Sequence, residues 1–326
     1  MRLVLSLLVL IAAAHASAAG VVFEGGKGPG KGKHIVLISG DEEYRSEEAL
    51  PQLARILSQR HGFKCTVLFA IDPSDGTVNP NRNDNIPGLE ALDTADLMIL
   101  LIRWRDLPDD QMEHIAKYIR SGRPMIAMRT ATHPFNFKKH EKYKNWSSNS
   151  KEWDGGFGRQ LLGETWIAHH GQHGKQSTRA VPVKGRENHP ILRGVGDIWV
   201  RTDVYTVRQP FPSENEVLLT GQVLTGMSPT DPPLEGAKND PMMPVAWTRT
   251  YRFENGKPGR VFTTTMGSAQ DLTNDGFRRM MVNASYWALK MERKIDPKSN
   301  VALVGDYQPT PFGFNGYRKG KKPEDF

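Results

Sequence analysis

The chain reads as an α/β protein built on a doubly wound, mostly parallel sheet with helices on both faces. Three observations predict this. Four short runs in the first half are apolar throughout instead of alternating, the pattern of strands buried on both sides. Segments of helical length follow the first and third of these runs, as right-handed crossovers between parallel neighbours require. No compositional break divides the 326 residues, so one domain with long loops accounts for the chain better than two.

The elements follow in order. Residues 1–19 have the form of a secretory signal: Arg2, an apolar stretch over 3–14, then small residues around Ala16-Ser17-Ala18. The apolar stretch is too short to span a bilayer, so the mature protein is expected to be exported, periplasmic or secreted. Residues 20–32 read as a flexible Gly/Lys leader; Gly32 stands where a phosphate-binding loop needs Ser or Thr, and no strand precedes it. The domain proper is expected over 33–292. It begins with the strand His34-Ile35-Val36-Leu37-Ile38-Ser39. A helix over 47–60 follows, with Ser46 as its cap, Glu47 and Glu48 at its positive end and Gly62 behind it. Further strands are expected at 65–71, 97–102 and 124–128. The helix at 109–121 carries Met112, Ile115, Ala116 and Ile119 at helical spacing.

Beyond residue 175 the texture changes to short strands at 178–183, 216–220, 243–248 and 260–265 between Pro- and Gly-rich turns. A helix over 275–292 closes the domain. Residues 293–326 form an irregular tail whose Tyr307, Phe312, Phe314 and Tyr317 are suited to pack back on the body. The single cysteine, Cys65, precludes an internal disulfide and sits in a strand as a small hydrophobe. Net charge is +7, from scattered Lys and Arg; the one dense run, Arg318-Lys319-Gly320-Lys321-Lys322, is no nucleic-acid module.

Chemistry concentrates in the segment Glu164-Thr165-Trp166-Ile167-Ala168-His169-His170-Gly171-Gln172-His173-Gly174. Three imidazoles within five residues are costly to bury, and the glycines let a ligand approach the backbone. His169, His170 and His173 are candidate acid–base groups and candidate ligands for a divalent ion, with Glu164 or Asp203 as a carboxylate partner. In an open parallel sheet the ligand sits beyond the carboxyl ends of the strands. That rule adds Asp41 and Glu43 as candidate catalytic carboxylates. It adds Arg45, Arg103, Arg129 and His133 as candidate substrate-binding groups. Trp104, Trp153 and Trp166 are suited to stack on a sugar ring.

In order and spacing, several motifs resemble the trehalose-utilisation (ThuA-like) family over about 33–292. They include Asp41-Glu42-Glu43-Tyr44-Arg45, the segment from Trp153 through Phe157-Gly158 to Leu162-Gly163, which reads as a helix, and the histidine loop. His189-Pro190-Ile191-Leu192-Arg193-Gly194, Asp203-Val204-Tyr205 and Pro244-Val245-Ala246-Trp247-Thr248 continue the series. The resemblance implies a flavodoxin-like sheet akin to class I glutamine amidotransferases, in an exported, planctomycete-type member. The elbow cysteine of that superfamily is replaced around Arg129-Thr130, so glutamine hydrolysis is not implied. Gly267-Ser268 stands where family members often carry Gly-His. The family implies a small-molecule carbohydrate as partner, processed by a hydrolase or lyase acting on a disaccharide or keto-sugar. A non-catalytic glycan-binding or scaffold role on the same fold is the alternative. The partners expected are that carbohydrate and, where the chain assembles, another copy in a homo-oligomer.

Overall fold

A computed structural model describes residues 15–17 and 20–326. The signal segment at 1–19 therefore lies outside the described residues, apart from 15–17. Among the described residues no helix is long and apolar enough to cross a membrane.

Five parallel strands make the centre of an eleven-stranded sheet. In chain order the first strands are β1 (His15–Ser17), β2 (Gly20–Phe23), β3 (His34–Gly40), β4 (Lys64–Phe69), β5 (Leu97–Ile102) and β6 (Met125–Met128). The rest are β7 (Ala168–His169), β8 (Thr178–Pro182), β9 (Ile198–Val200), β10 (Tyr205–Thr206), β11 (Glu216–Val223), β12 (Met243–Tyr251) and β13 (Gly259–Thr264). The centre runs β4-β3-β5-β6-β13, the order of flavodoxin-type sheets, with its switch between β3 and β5. Antiparallel strands extend it on both sides: β2 and β1 beyond β4, and β12, β11, β8 and β9 beyond β13. Gly40 pairs with Ile102 and Thr264 with Met128, so the loops after β3, β5, β6 and β13 leave from one edge.

Helices cover both faces. α1 (Ser46–His61) and α3 (Asp275–Ala288) pack on one side through Leu53, Leu57, Phe277 and Met281. α2 (Asp109–Arg120) packs on the other, with Met112, Ile115, Ala116 and Ile119 all buried. Each of these Leu, Ile, Phe and Met side chains contributes about 1.5–3 kcal/mol. At the end of α1, Gly62 adopts φ 81° and turns its N–H back to Leu57 and Ser58, closing the helix. Its start differs from expectation. Arg45 precedes it at φ 59°, and the Ser46 hydroxyl meets the Ser39 hydroxyl (2.8 Å) and the Asp41 N–H (3.0 Å) instead of capping. Glu47 is no anionic cap either: it is fully buried, neither carboxyl oxygen has a partner, and burial pushes its pKa up to about 8.

Three other readings change. Residues 20–32 are no free leader, because 20–23 form β2 against β4, and Gly30 is buried and donates to His61 O at 2.8 Å. The helix expected from Trp153 to Gly163 shrinks to a π-type turn at Gly158–Leu162, ended by Gly163 at φ 101°, with 153–155 in turn conformation. α3 stops at Ala288, four residues before the expected 292. Cys65 lies buried in β4. The tail runs back across α1 and the strand-end loops: Thr310 N–H and Oγ1 donate to Glu48 (2.8 and 2.7 Å), and Gly313 N–H donates to Glu43 O (2.7 Å).

Candidate functional site

Three strand-end loops leave the sheet in a conformation L-residues seldom adopt. Arg45 follows β3 at φ 59°, Trp104 follows β5 at φ 47°, and Arg129 follows β6 at φ 46°. Each costs of order 1–3 kcal/mol, and such strain gathers where surrounding structure over-determines a side chain's direction. Here it turns all three loops into one cleft.

At the base of the cleft lies Asp203, with no exposed side-chain surface. Its Oδ1 accepts from Arg129 Nη2 (2.6 Å) and His173 Nδ1 (3.2 Å), and its Oδ2 accepts from His169 Nδ1 (2.7 Å). Burial pushes the Asp203 pKa up, but the Arg129 charge and the two imidazole N–H groups outweigh it and hold the carboxyl far below the usual range. Arg129 is wholly buried. It also donates to Asp203 O (2.6 Å), Thr265 O (2.8 Å) and the Tyr44 hydroxyl (3.0 Å), with its guanidinium 3.6 Å from the Tyr205 ring centre. The segment carrying Asp203 is fixed by Asp271, which accepts from Arg201 N (3.0 Å), Thr202 Oγ1 (2.7 Å) and Gly267 N (2.9 Å). Gly171 is needed where the histidine loop crosses it, since a side-chain carbon there would meet Asp203 Cβ at 3.0 Å.

The two imidazoles on Asp203 differ. His173 is bonded at both nitrogens, to Asp203 and to Glu43 Oε1 (3.1 Å). Those two acceptors raise its pKa to about 9 and make it an imidazolium at neutral pH. Glu43 is buried, which favours its neutral form, but His173, Arg103 and Arg129 pull its pKa down overall. His169 is bonded only through Nδ1; among the described residues its Nε2 has no protein partner, and a third of the side chain is exposed. In the neutral ring, donation of Nδ1–H to Asp203 leaves the Nε2 lone pair toward solvent.

Around this centre Trp166 packs edge-on to His169 (5.8 Å), Trp104 edge-on to Trp166 (6.4 Å), and Phe312 of the tail against His173 (5.5 Å). The Arg103 guanidinium sits 3.9 Å from the Trp104 ring centre, bonded to Glu42 and 3.8 Å from Glu43. His133 lies beneath Trp104 and Trp166; burial, then the Arg103 and Arg129 charges, lowers its pKa well below normal, so the ring is neutral.

Of the residues expected at a site, His169, His173, Asp203, Glu43, Arg103, Trp104, His133 and Trp166 converge, and Arg129 joins them as an internal clamp. Others do not. His170 turns away to Lys238 O (2.9 Å). Asp41 is buried, and its carboxyl accepts the N–H groups of Glu43 (2.7 Å) and Tyr44 (2.6 Å) and the Thr130 hydroxyl, so it shapes the loop instead of facing a ligand. Burial and the neighbouring Glu42 charge raise its pKa to about 6. Arg45 is buried and holds Gly313 O of the tail, and Arg129 serves Asp203; neither guanidinium is free for substrate. Glu164 binds Arg159 (2.8 Å) and Arg208 N (3.0 Å), away from the imidazoles. Trp153 stacks on Trp146 and Phe253 elsewhere. Conversely, Tyr44, Tyr205, Asp271 and Phe312 belong to the site without having been expected there. The motif Asp203-Val204-Tyr205 held a signal for one of them; nothing local marks Phe312.

His169, His173 and Asp203 present donor atoms within 4.8 Å of one another, the spacing of a metal site. As it stands the set is engaged within the protein: Asp203 Oδ1 is committed to a buried guanidinium and His173 is bonded to two carboxylates, so an ion would have to displace the His173 proton and share Asp203 with Arg129.

The model of a family described as "Trehalose utilisation" (ThuA) matches residues 35–288. No curated protein matches the chain. Among solved structures, a ThuA-like protein from Parabacteroides merdae aligns at 14% identity and a TM-score of 0.52, covering 87% of this chain and 98% of that one. A ThuA-like protein from Bacteroides uniformis aligns at 16% identity and a TM-score of 0.48, covering 83% and 96%. The first of these likenesses bears on the fold.

Proposed function

Because the chain belongs to the trehalose-utilisation (ThuA) family, we propose that its cleft processes a disaccharide or keto-sugar, with His169 as the acid–base group of a lyase. The observation that carries this reading is the pairing of one free imidazole nitrogen with a buried, arginine-anchored carboxylate.

The chemistry follows from what is free and what is committed. Glycoside hydrolysis by two carboxylates needs one free to protonate the leaving oxygen and one free to attack or to activate water. Here Glu43 is bonded to His173, and Asp203 to Arg129 and both imidazoles, so neither is available. Proton abstraction beside a sugar carbonyl needs only one base. His169 Nε2 takes the proton from the carbon next to the carbonyl, and the C–H electron pair moves into an enolate. The fixed positive charges of His173 and Arg103 lie beside this centre and favour the developing oxyanion. As the enolate collapses, a carbon–carbon double bond forms and the glycosidic C–O bond at the next carbon breaks. The leaving oxygen takes back the proton from His169, whose imidazolium Asp203 supports. Trp104 and Trp166 offer ring faces to the sugar. Export by the 1–19 segment belongs to the same proposal and places the substrate outside the cytoplasm.

The test is turnover of singly oxidised disaccharides in deuterated buffer. The wild type is expected to release a monosaccharide, and His169→Ala to lose about 10²–10⁴-fold, the usual worth of a positioned base. A chelator should leave the wild-type rate unchanged. Equal turnover in the variant would remove His169 from the chemistry; saturable binding with no product would select the glycan-binding role.

A further inference from the structure

We propose that the cleft continues into a second sugar-binding subsite on the far side of Trp104, so that the chain takes a disaccharide or longer glycan instead of a lone ring. This rests on the carbohydrate reading above and specifies its substrate. A hollow of about 350 Å³ adjoins the cleft, lined among others by Glu42, Asn83, Trp104, Arg105, Asn136 and Lys138. It shares two walls with the reactive centre. Trp104 packs edge-on to Trp166, which packs on His169, and Glu42 is bonded to Arg103, whose guanidinium lies 3.8 Å from Glu43.

Three features fit a sugar ring. Asn83, Asn136 and Lys138 line the hollow, Asn83 and Lys138 exposed and Asn136 half-buried, so two amides and an ammonium are open to a ligand there. An amide offers a donor and an acceptor side by side, the pairing that neighbouring hydroxyls match. Arg105, by contrast, is largely committed: it is buried, and four of its five N–H donors go to Glu42 Oε2 (2.7 Å) and to the carbonyls of Pro80, Arg82 and Arg103. It makes a rigid floor and leaves the free groups to recognise the ligand. Finally, the left-handed backbone at Trp104 places an indole between the hollow and the cleft, where adjoining rings of one glycan would meet it.

Calorimetry on the full chain compares glucose with glucose disaccharides, each unmodified and singly oxidised, for the wild type, Asn83→Ala, and the Asn83→Ala/Asn136→Ala double variant. The wild type is expected to bind a disaccharide at least 10-fold tighter than its monosaccharide. The double variant should lose most of that margin while its monosaccharide affinity stays within 2-fold. Asn83→Ala lies on an exposed loop and should lose part of the margin with an unchanged melting temperature, which separates binding from folding. Disaccharide affinity that is indifferent to both variants would overturn the subsite and leave the carbohydrate reading intact. No binding of any sugar to the wild type would overturn both.

Discussion

The two edges of the sheet each gather aromatic rings and charges, and only one has the makings of a reactive site. Beside the start of β6, a hollow of about 470 Å³ is lined by Trp146, Trp153, Phe253, Arg120, Lys142 and Glu254. Its rings pack against one another, tilted or edge-on, at 5.2–5.9 Å, and its ion pairs, Arg120–Glu254 and Lys142–Glu113, are roughly half exposed. At the opposite edge, Arg129 and Asp203 pair with no exposed side-chain surface and one imidazole nitrogen is left over; left-handed backbone occurs at both, at Glu254 in the first and at Arg45, Trp104 and Arg129 here. Composition is shared. What separates the two is desolvation together with incomplete satisfaction, the conditions under which charge–charge contacts become strong and directional.

The sharpest way to break this contrast is Asp203→Ala. It strands a buried guanidinium, so a loss of about 3–5 kcal/mol in denaturant unfolding is expected, with activity abolished. A change below about 1 kcal/mol would mean that the cleft's charges are no more coupled than those of the other hollow.

A pH titration refines it. His173 has a folded pKa of about 9 against an ordinary 6.5, so the folded state holds its proton more tightly. Its contribution to stability is therefore complete below about pH 6.5 and disappears as pH rises through about 9. His173→Gln should flatten stability across that window, and the imidazole resonance followed by NMR should titrate near 9. A midpoint near 6.5 would show that Glu43 and Asp203 do not grip the ring.

The smallest effects belong to the other hollow. Trp153→Ala, at a half-buried ring, is expected to cost about 2 kcal/mol, less than the 3–5 typical of a fully buried indole. Lys142→Ala, at an exposed ion pair, should leave the denaturant midpoint unchanged. Both should leave sugar turnover unchanged; a loss of turnover in either would make this hollow part of the site.

Much of the framework was legible along the chain because its causes are local. The apolar runs at 34–39 and 97–102 had to be strands buried on both faces, and the spacing of Met112, Ile115, Ala116 and Ile119 had to face one layer. The histidine loop announced itself because three imidazoles resist burial. Which of them matter was not legible. His169 and His170 are neighbours with the same chemistry, yet the β7–β10 ribbon aims one at Asp203 and leaves the other on Lys238. Arg45 and Arg129, expected on substrate, proved to be internal clamps, because their partners at Gly313 and Asp203 lie 268 and 74 residues away. Sequence alone determined the α/β class, the main elements and the places where charge had to avoid the core, since periodicity and desolvation act over a few residues. Tertiary structure decided which charges are consumed and which nitrogen stays free. Satisfaction of a polar group is settled by whatever the fold brings within 3 Å, and that neighbour is set by topology.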